Sequence, residues 1–477
     1  MSDTSVDFDT SSHSAPTSHG DDGRLSPVAE RRPNFWVRRL VVIGGVVAVF
    51  LAAAFVVNSL IDDTDDGAAS GAIDADWNRI VLVDERTGRV TVENDAGEET
   101  GRIDTGIRSV LDAAVVDSYA LVVSATETSV VDLADESSTE RAIEADGVSW
   151  PSGSALTMIA AATSGARGLL VHGPTGDVID TDDVAPIGGT RYEWADSRTV
   201  PSGRHILVTD SGNFQSVLLS FDRDEPSYFP GLALAIDDDI VVTAQNVGAN
   251  ASVEVFDHDG ESVASGSTSS VRTALIGDGT IQLITVDGEI VSMSTSSGDT
   301  ESTGQLDIGA VDSGVVSTSG DRLIVSGTDG SAIVDTDGSV VGTFPQQRPL
   351  PGNRATAGST CVTLTDRSGP DGGGQASIVT LADGSTVNEV EAIAPLWATA
   401  DGCTLASPVT GGYQVVSPEA LSTVTTDGEL TGLSPDGADV VLTVSRRLSL
   451  VDATTGPVDD DGVDLGPAGR RIGFTQL

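Results

Sequence analysis

The chain has 477 residues and a net charge of −47, and its 25 basic residues are all arginine. A field of that sign and size repels nucleic acid and anionic lipid head groups, and it favours cations, basic partners or solubility alone. Aromatics make up only 4 % against 54 glycines. The apolar content is mostly Val, Ala, Leu and Ile, which suits short strands and tight turns better than long helices.

Residues 1–34 are rich in Ser, Thr, Asp and His and carry almost no large apolar side chain. They cannot bury enough surface to offset ordering entropy, so a disordered cytoplasmic tail is expected there. Residues 35–61 follow as a transmembrane helix with its interfacial flank. Positions 40–57 (LVVIGGVVAVFLAAAFVV) are eighteen apolar residues without a charge, and Asn58 to Ile61 extend them. About twenty residues at 1.5 Å each cross a ~30 Å hydrocarbon core. A cleaved signal peptide, the competing reading, has an apolar core of about 7–15 residues. Arg31, Arg32, Arg38 and Arg39 precede the helix, and Asp62, Asp63, Asp65 and Asp66 follow it. The arginine excess sets the N-terminus in the cytoplasm and the C-terminal domain outside. An Asp/Gly/Ala linker at 62–76 leads into an extracytoplasmic domain at 77–477 that holds nearly all the negative charge.

One pattern recurs through that domain. A run of four to six β-formers meets a polar turn and a second run, which an Asp/Gly turn usually closes. First runs lie at 120–123, 155–160, 205–208, 239–242, 281–284, 323–325, 361–364, 403–406 and 440–444. Partner runs include 217–221, 253–256, 332–335, 378–381 and 448–451. Pro/Gly turns such as Pro151-Ser-Gly and Pro201-Ser-Gly introduce first runs, and Gly260, Gly338, Gly384 and Gly456 lie in turns that close second runs. The spacing, close to forty residues, leaves room for two more short strands per unit. That predicts an all-β fold, a β-propeller of four-stranded repeats. Nine units are complete, and a tenth is split between the ends of the domain. Residues 469–475 form a first run without a following partner, and 80–84 a second run without a preceding one. Eight to ten blades are expected, or seven if some units are hairpins within larger blades.

The stretch Ser434-Pro-Asp-Gly-Ala-Asp-Val-Val-Leu…Leu450-Val-Asp-Ala-Thr-Thr-Gly456 resembles the WD-like repeat of bacterial envelope propellers. Asp84-Glu-Arg-Thr-Gly88 and Asp452-Ala-Thr-Thr-Gly456 resemble the turn of pyrroloquinoline-quinone-type repeats. The resemblance is to repeat grammar across 77–477 and implies a fold, since propellers host many unrelated activities. Quinone-dependent members lock their blades with Trp after the Thr-Gly turn. Here Arg89-Val-Thr and Pro457-Val-Asp stand in those places, so no cofactor is expected.

Cys361 and Cys403 both begin first runs one repeat apart, on the side of the membrane where disulfides persist, which predicts a blade-to-blade disulfide. Asp257-His-Asp-Gly260 and Asp459-Asp-Asp-Gly-Val-Asp464 resemble fragments of calcium loops, but neither completes the spaced ligand set. His172, His205 and His258 are isolated in sequence, and no Gly-x-Ser-x-Gly elbow or phosphate loop is present. The expected function is therefore a non-catalytic binding or scaffolding module of the cell envelope, with a protein, peptide or glycan partner. The alternative is a propeller enzyme, a hydrolase or lyase, with its site in the central channel. An enzyme should converge charged or His side chains at the channel mouth. A scaffold should present an apolar, aromatic-bearing patch on one face or rim.

Overall fold

The computed structural model describes residues 77–477, apart from 162–168, 182–191, 224, 350–357, 359, 367–372, 394–395, 400 and 458–461. The expected tail, transmembrane helix and linker, and the acidic triplet 459–461, lie outside the described residues. Among the described residues no helix is long and apolar enough to cross a membrane.

The described chain forms forty strands in ten four-stranded antiparallel sheets. Nine sheets are built from consecutive strands: blade 2 spans 112–141, blade 3 147–180, blade 4 192–230, blade 5 232–269 and blade 6 271–305. Blade 7 spans 311–345, blade 8 347–393, blade 9 397–425 and blade 10 429–467. Blade 1 is composite: its innermost strand is the C-terminal Arg470–Thr475, and its other three come from 79–104. The pairing runs from Arg79 opposite Thr475 to Asp84 opposite Arg470, and it seals the ring. The fold is a ten-bladed β-propeller.

The roles expected of the two terminal runs are shifted by one strand. Residues 80–84 belong to the second strand of blade 1, which has its own partner in Arg89–Asn94, and 470–475 is the innermost strand. The cause lies in burial. The two middle strands of a blade are covered on both faces by neighbouring blades, so they read as unbroken apolar runs. Arg79–Asp84 (RIVLVD) is one of these, with four successive buried residues. Outer strands such as Thr300–Gln305 (TESTGQ) are mostly exposed and carry no apolar signal.

Each junction between blades has its own apolar cluster. Alternation along the strand divides the side chains: Val81 and Val83 pack toward blade 2, whereas Ile80 and Leu82 pack toward blade 10. The largest cluster joins blades 5 and 6, and one of the smaller ones, around Cys361, Ile378 and Leu405, joins blades 8 and 9.

The connections define two faces. The front face carries the links between first and second and between third and fourth strands, so the Pro/Gly turns and the Asp/Gly turns meet there. The back face carries the remaining links. Asp452, in a front-face turn, accepts the amides of Thr454 and Thr455. Asp84 accepts the amides of Arg86 and Thr87 in the same way, on the back face. Gly88 ends that back-face turn at φ 65°, and a Cβ there would lie 2.5 Å from the carbonyl oxygen of Ile107.

Candidate functional site

The three histidines of the propeller are not all solitary. His205 begins the second strand of blade 4 and His258 lies in a front-face turn of blade 5, with ring centroids 4.9 Å apart. Burial holds the His205 pKa below the usual histidine value, His258 adds to the effect, and Asp222, 3.7 Å away, opposes it. His258 Nε2 lies 3.1 Å from the Asp237 carbonyl oxygen, so that nitrogen carries the proton. Arg223 donates to the His258 carbonyl at 2.7 Å and pairs with Asp259 at 2.9 Å. Arg204 pairs with Asp222 and draws its carboxyl below the usual range. The Ser227 hydroxyl donates to the His258 carbonyl at 3.0 Å, so its proton is not held by an imidazole that could activate it. The cluster clamps blades 4 and 5 together and supplies no activated nucleophile. Among the described residues no three His, Cys, Asp or Glu side chains could hold a metal ion together. In the calcium-like fragment, Asp257 instead accepts the amides of Asp259 and Glu261 and so shapes the turn.

Two hydrogen bonds cross the interior next to this clamp. Arg198, on the innermost strand of blade 4, is buried and donates to the Gly314 carbonyl of blade 7 at 3.0 Å. Ser152 Oγ of blade 3 accepts the Val316 amide of blade 7 at 2.5 Å. Blades 5 and 6 lie between blades 4 and 7 in the ring, so these bonds cross the interior. One cavity here, lined by Arg198, Pro201, Ile236, Asp237, Leu275 and Val316, holds about 80 Å³. Small-molecule sites are usually ~300–1,000 Å³, so this cavity is smaller than those. Farther round, Asp312 accepts Arg272 through its carbonyl and Arg348 through its carboxylate, both at 2.5 Å, which neutralises charge that would otherwise face inward.

The back face of blades 4 and 5 has the opposite character. Segments 211–221, 226–236, 240–253 and 262–271 contain no Asp, Glu, Arg or Lys, in a chain with 72 acids. Phe214 stands at the tip of a blade 4 hairpin and is 77 % exposed, and Val247, at a blade 5 tip, is 75 % exposed. Leu232, the first residue of blade 5, is also exposed. The Gly231 amide donates to the Phe214 carbonyl at 3.2 Å and ties the hairpin to the link between blades 4 and 5. Phe214 has φ 54°, a conformation rare for a bulky side chain. Asp210 holds the turn in place: its carboxylate accepts Gly212 N at 3.1 Å, Asn213 Nδ2 at 2.7 Å and Gln215 Nε2 at 3.2 Å. The blade 5 tip is anchored by Asn246, whose side-chain amide exchanges two 3.0 Å hydrogen bonds with Val271 of blade 6. Sequence reasoning missed this patch because Phe214, Leu232 and Val247 lie far apart in sequence and share the back face only through the order of the blades. The absence of charge from four nearby segments was the signal that could have found it.

Cys361 and Cys403 form the expected disulfide, with Cα atoms 5.1 Å apart. It joins blade 8 to blade 9 on the front face, beside a 3.0 Å hydrogen bond from the Cys361 amide to Asp401 O.

His172 stands apart from the His205–His258 pair. It is 1 % exposed in blade 3, its ring centroid is 4.6 Å from that of Tyr119, and neither ring nitrogen has a hydrogen-bond partner. Burial lowers its pKa from 6.5 to about 4. Between these values the unfolded chain binds the proton and the folded one does not. Stability contributed by the neutral ring is therefore present above pH 6.5, falls as pH drops through the window, and is flat below 4. The loss should reach about 3 kcal/mol. Urea midpoints at pH 7 and pH 4.5 check this: His172→Leu should lose less stability between the two than wild type, and equal losses would refute the assignment.

No family model and no curated protein sequence matches the chain. Solved structures similar to it include a eukaryotic initiation factor, at 12 % identity over 84 % of this chain and 98 % of that one, with a TM-score of 0.46. Apo AztD from Citrobacter koseri is similar at 11 % identity over 84 % of this chain and 98 % of its own, with a TM-score of 0.42. BamB from Moraxella catarrhalis is similar at 14 % identity over 58 % of this chain and 86 % of its own, with a TM-score of 0.30. The ten-blade assignment rests on the strand pairing within this chain.

Proposed function

We propose that the chain is a single-pass, membrane-anchored binding and scaffolding module of the cell envelope, displayed on the outer side, that engages its partner through the back face of blades 4 and 5. The observation that carries this is the uncharged patch on which Phe214 and Val247 are exposed in an otherwise acidic molecule. Contiguous exposed apolar surface is where soluble domains meet partners, and exposed aromatics are frequent anchors there. The strained, braced turn under Phe214 supports the same reading, because such backbone persists where surrounding structure enforces it. The disulfide accords with an oxidising compartment, and the 40–57 apolar stretch with its arginine-rich flank supports the anchor and its orientation. The hydrogen bonds that cross the interior from Arg198 to Gly314 and from Val316 to Ser152 favour a surface-binding role over a channel enzyme.

A photo-crosslinking residue placed at 214 or 247 in the intact membrane protein, in living cells, should capture the same envelope partner from both positions. The same residue at Val340, an exposed apolar position on blade 7, should not capture it. Equal capture from all three sites, or none from 214 and 247 across growth conditions, would count against the proposal. Protease added to intact cells should degrade the propeller, and full protection would refute the orientation.

A further inference from the structure

We propose that a groove at the outer edge of blade 3 binds a small monocarboxylate with an apolar body, and that Arg141 is its anion anchor. The groove arises because the outer strand of blade 3, Val178–Asp180, has only three residues. The outer strands of the flanking blades, Ser137–Arg141 and Ser227–Pro230, are longer and leave a notch between them. Its volume is about 360 Å³. Pockets of ~300–1,000 Å³ are the usual size for small organic ligands. Ile179, Phe221 and Pro226 supply apolar wall, and Arg141 and Arg223 supply the cationic groups.

The two arginines are not equivalent. Arg223 is committed to the His258 carbonyl and to Asp259. Arg141 forms no ion pair with a described residue, and its Nε is buried without a hydrogen-bond partner. Arg102, Arg204, Arg322, Arg348, Arg447 and Arg471 each have a carboxylate partner in the same structure. Arg141 has no such partner among the described residues, and what sets it apart is that its buried, unsatisfied Nε lies beside a cavity. A partly buried cation without a partner is costly, and the planar fork of Arg matches a carboxylate through two parallel hydrogen bonds.

The remaining wall narrows the ligand class. Asp177 and Asp180 line the same groove, and the Asp177 carboxylate already accepts the Thr175 hydroxyl at 2.7 Å. Two carboxylates beside one open arginine disfavour a phosphate or other multiply charged anion. They tolerate a single carboxylate whose apolar remainder lies on Phe221 and Ile179. The free C-terminus of a peptide and an acylated amino acid share this chemistry. The site lies on the outer rim, between blades 2 and 4, and is separate from the back-face patch.

The test uses the full-length protein in detergent, with ligand-observed NMR titration. The probes are N-acetyl-L-phenylalanine, N-acetyl-L-phenylalanine amide and inorganic phosphate. Loss of one charge-assisted bidentate contact is worth about tenfold or more in affinity. The acid should therefore bind at least about tenfold more tightly than the amide or phosphate, and Arg141→Gln should abolish that preference. The comparison of acid with amide needs no variant, so it stands even if the substitution disturbs folding. Arg141→Lys should retain part of the preference. No binding of the acid, equal binding of acid and amide, or an unchanged preference in a folded Arg141→Gln protein would overturn the proposal. Tighter binding of phosphate would overturn the ligand class.

Discussion

Deleting residues 470–477 should open the ring and cost about 5 kcal/mol or more, from the buried apolar surface and strand pairing it removes. That is comparable with the whole stability of many domains, ~5–15 kcal/mol. Among the described strands, Arg470–Thr475 is the only innermost one that arrives from the far end of the chain, and its register covers all of Arg79–Asp84. Ile472 and Phe474 pack with Ile80, Leu82, Val441 and Leu450 at the junction of blades 10 and 1. Trp77 meets Phe474 edge to face at 5.0 Å between ring centroids. Hydrogen bonds from Asn78 N to Thr475 O at 3.1 Å and from Leu477 N to Asn78 Oδ1 at 3.1 Å close the seam. Without this strand, Arg79–Asp84 becomes an unpaired edge, open to association with other chains. Urea unfolding should show the loss, size-exclusion chromatography should show self-association, and a synthetic 469–477 peptide added in excess should reverse both. A truncated protein as stable and monomeric as wild type would show that the composite blade does not close the ring.

Replacing Cys361 and Cys403 together by Ala should lower stability by about 4 kcal/mol on the chain-entropy model. The two residues are 42 apart, so the bond restricts a long loop in the unfolded chain. It also lies within the apolar cluster that joins the two blades. The innermost strands on either side are short, Gln347–Pro349 with three residues and Trp397–Ala398 with two. Chemical reduction of the wild-type protein should reproduce the effect, and a reductant should leave the Ala variant unchanged. A change below about 1 kcal/mol in both experiments would show that the apolar cluster around Ile378 and Leu405 holds the junction without the bond, against the usual range of 2–5 kcal/mol.

Much of the architecture was legible because propeller blades repeat a local signal. Second and third strands such as 205–210 and 215–220 are buried on both faces, and their unbroken Val, Leu and Ile content marks the unit and its spacing. The disulfide was legible for the same reason, since equal positions in neighbouring repeats fall at equal places on neighbouring blades. Strand order within a blade was less legible. Innermost strands such as Arg470–Thr475 mix charge with apolar residues, and outer strands face solvent, so neither carries a period that identifies it. This is why the terminal runs were displaced by one strand although their union was anticipated.

Residue order alone determined the repeat, the joining of the two ends and the cysteine pair, because each depends on local patterning copied along the chain, whereas the blade count was bounded only to between seven and ten until strand pairing fixed it at ten. Tertiary structure decided which side chains meet across repeats. His205 and His258 look solitary in sequence and touch in the fold, Arg198 reaches a carbonyl two blades beyond its neighbour, and Phe214 and Val247 are both exposed on the back face of neighbouring blades. Those contacts depend on how the blades close around one another, a long-range property that no single repeat encodes.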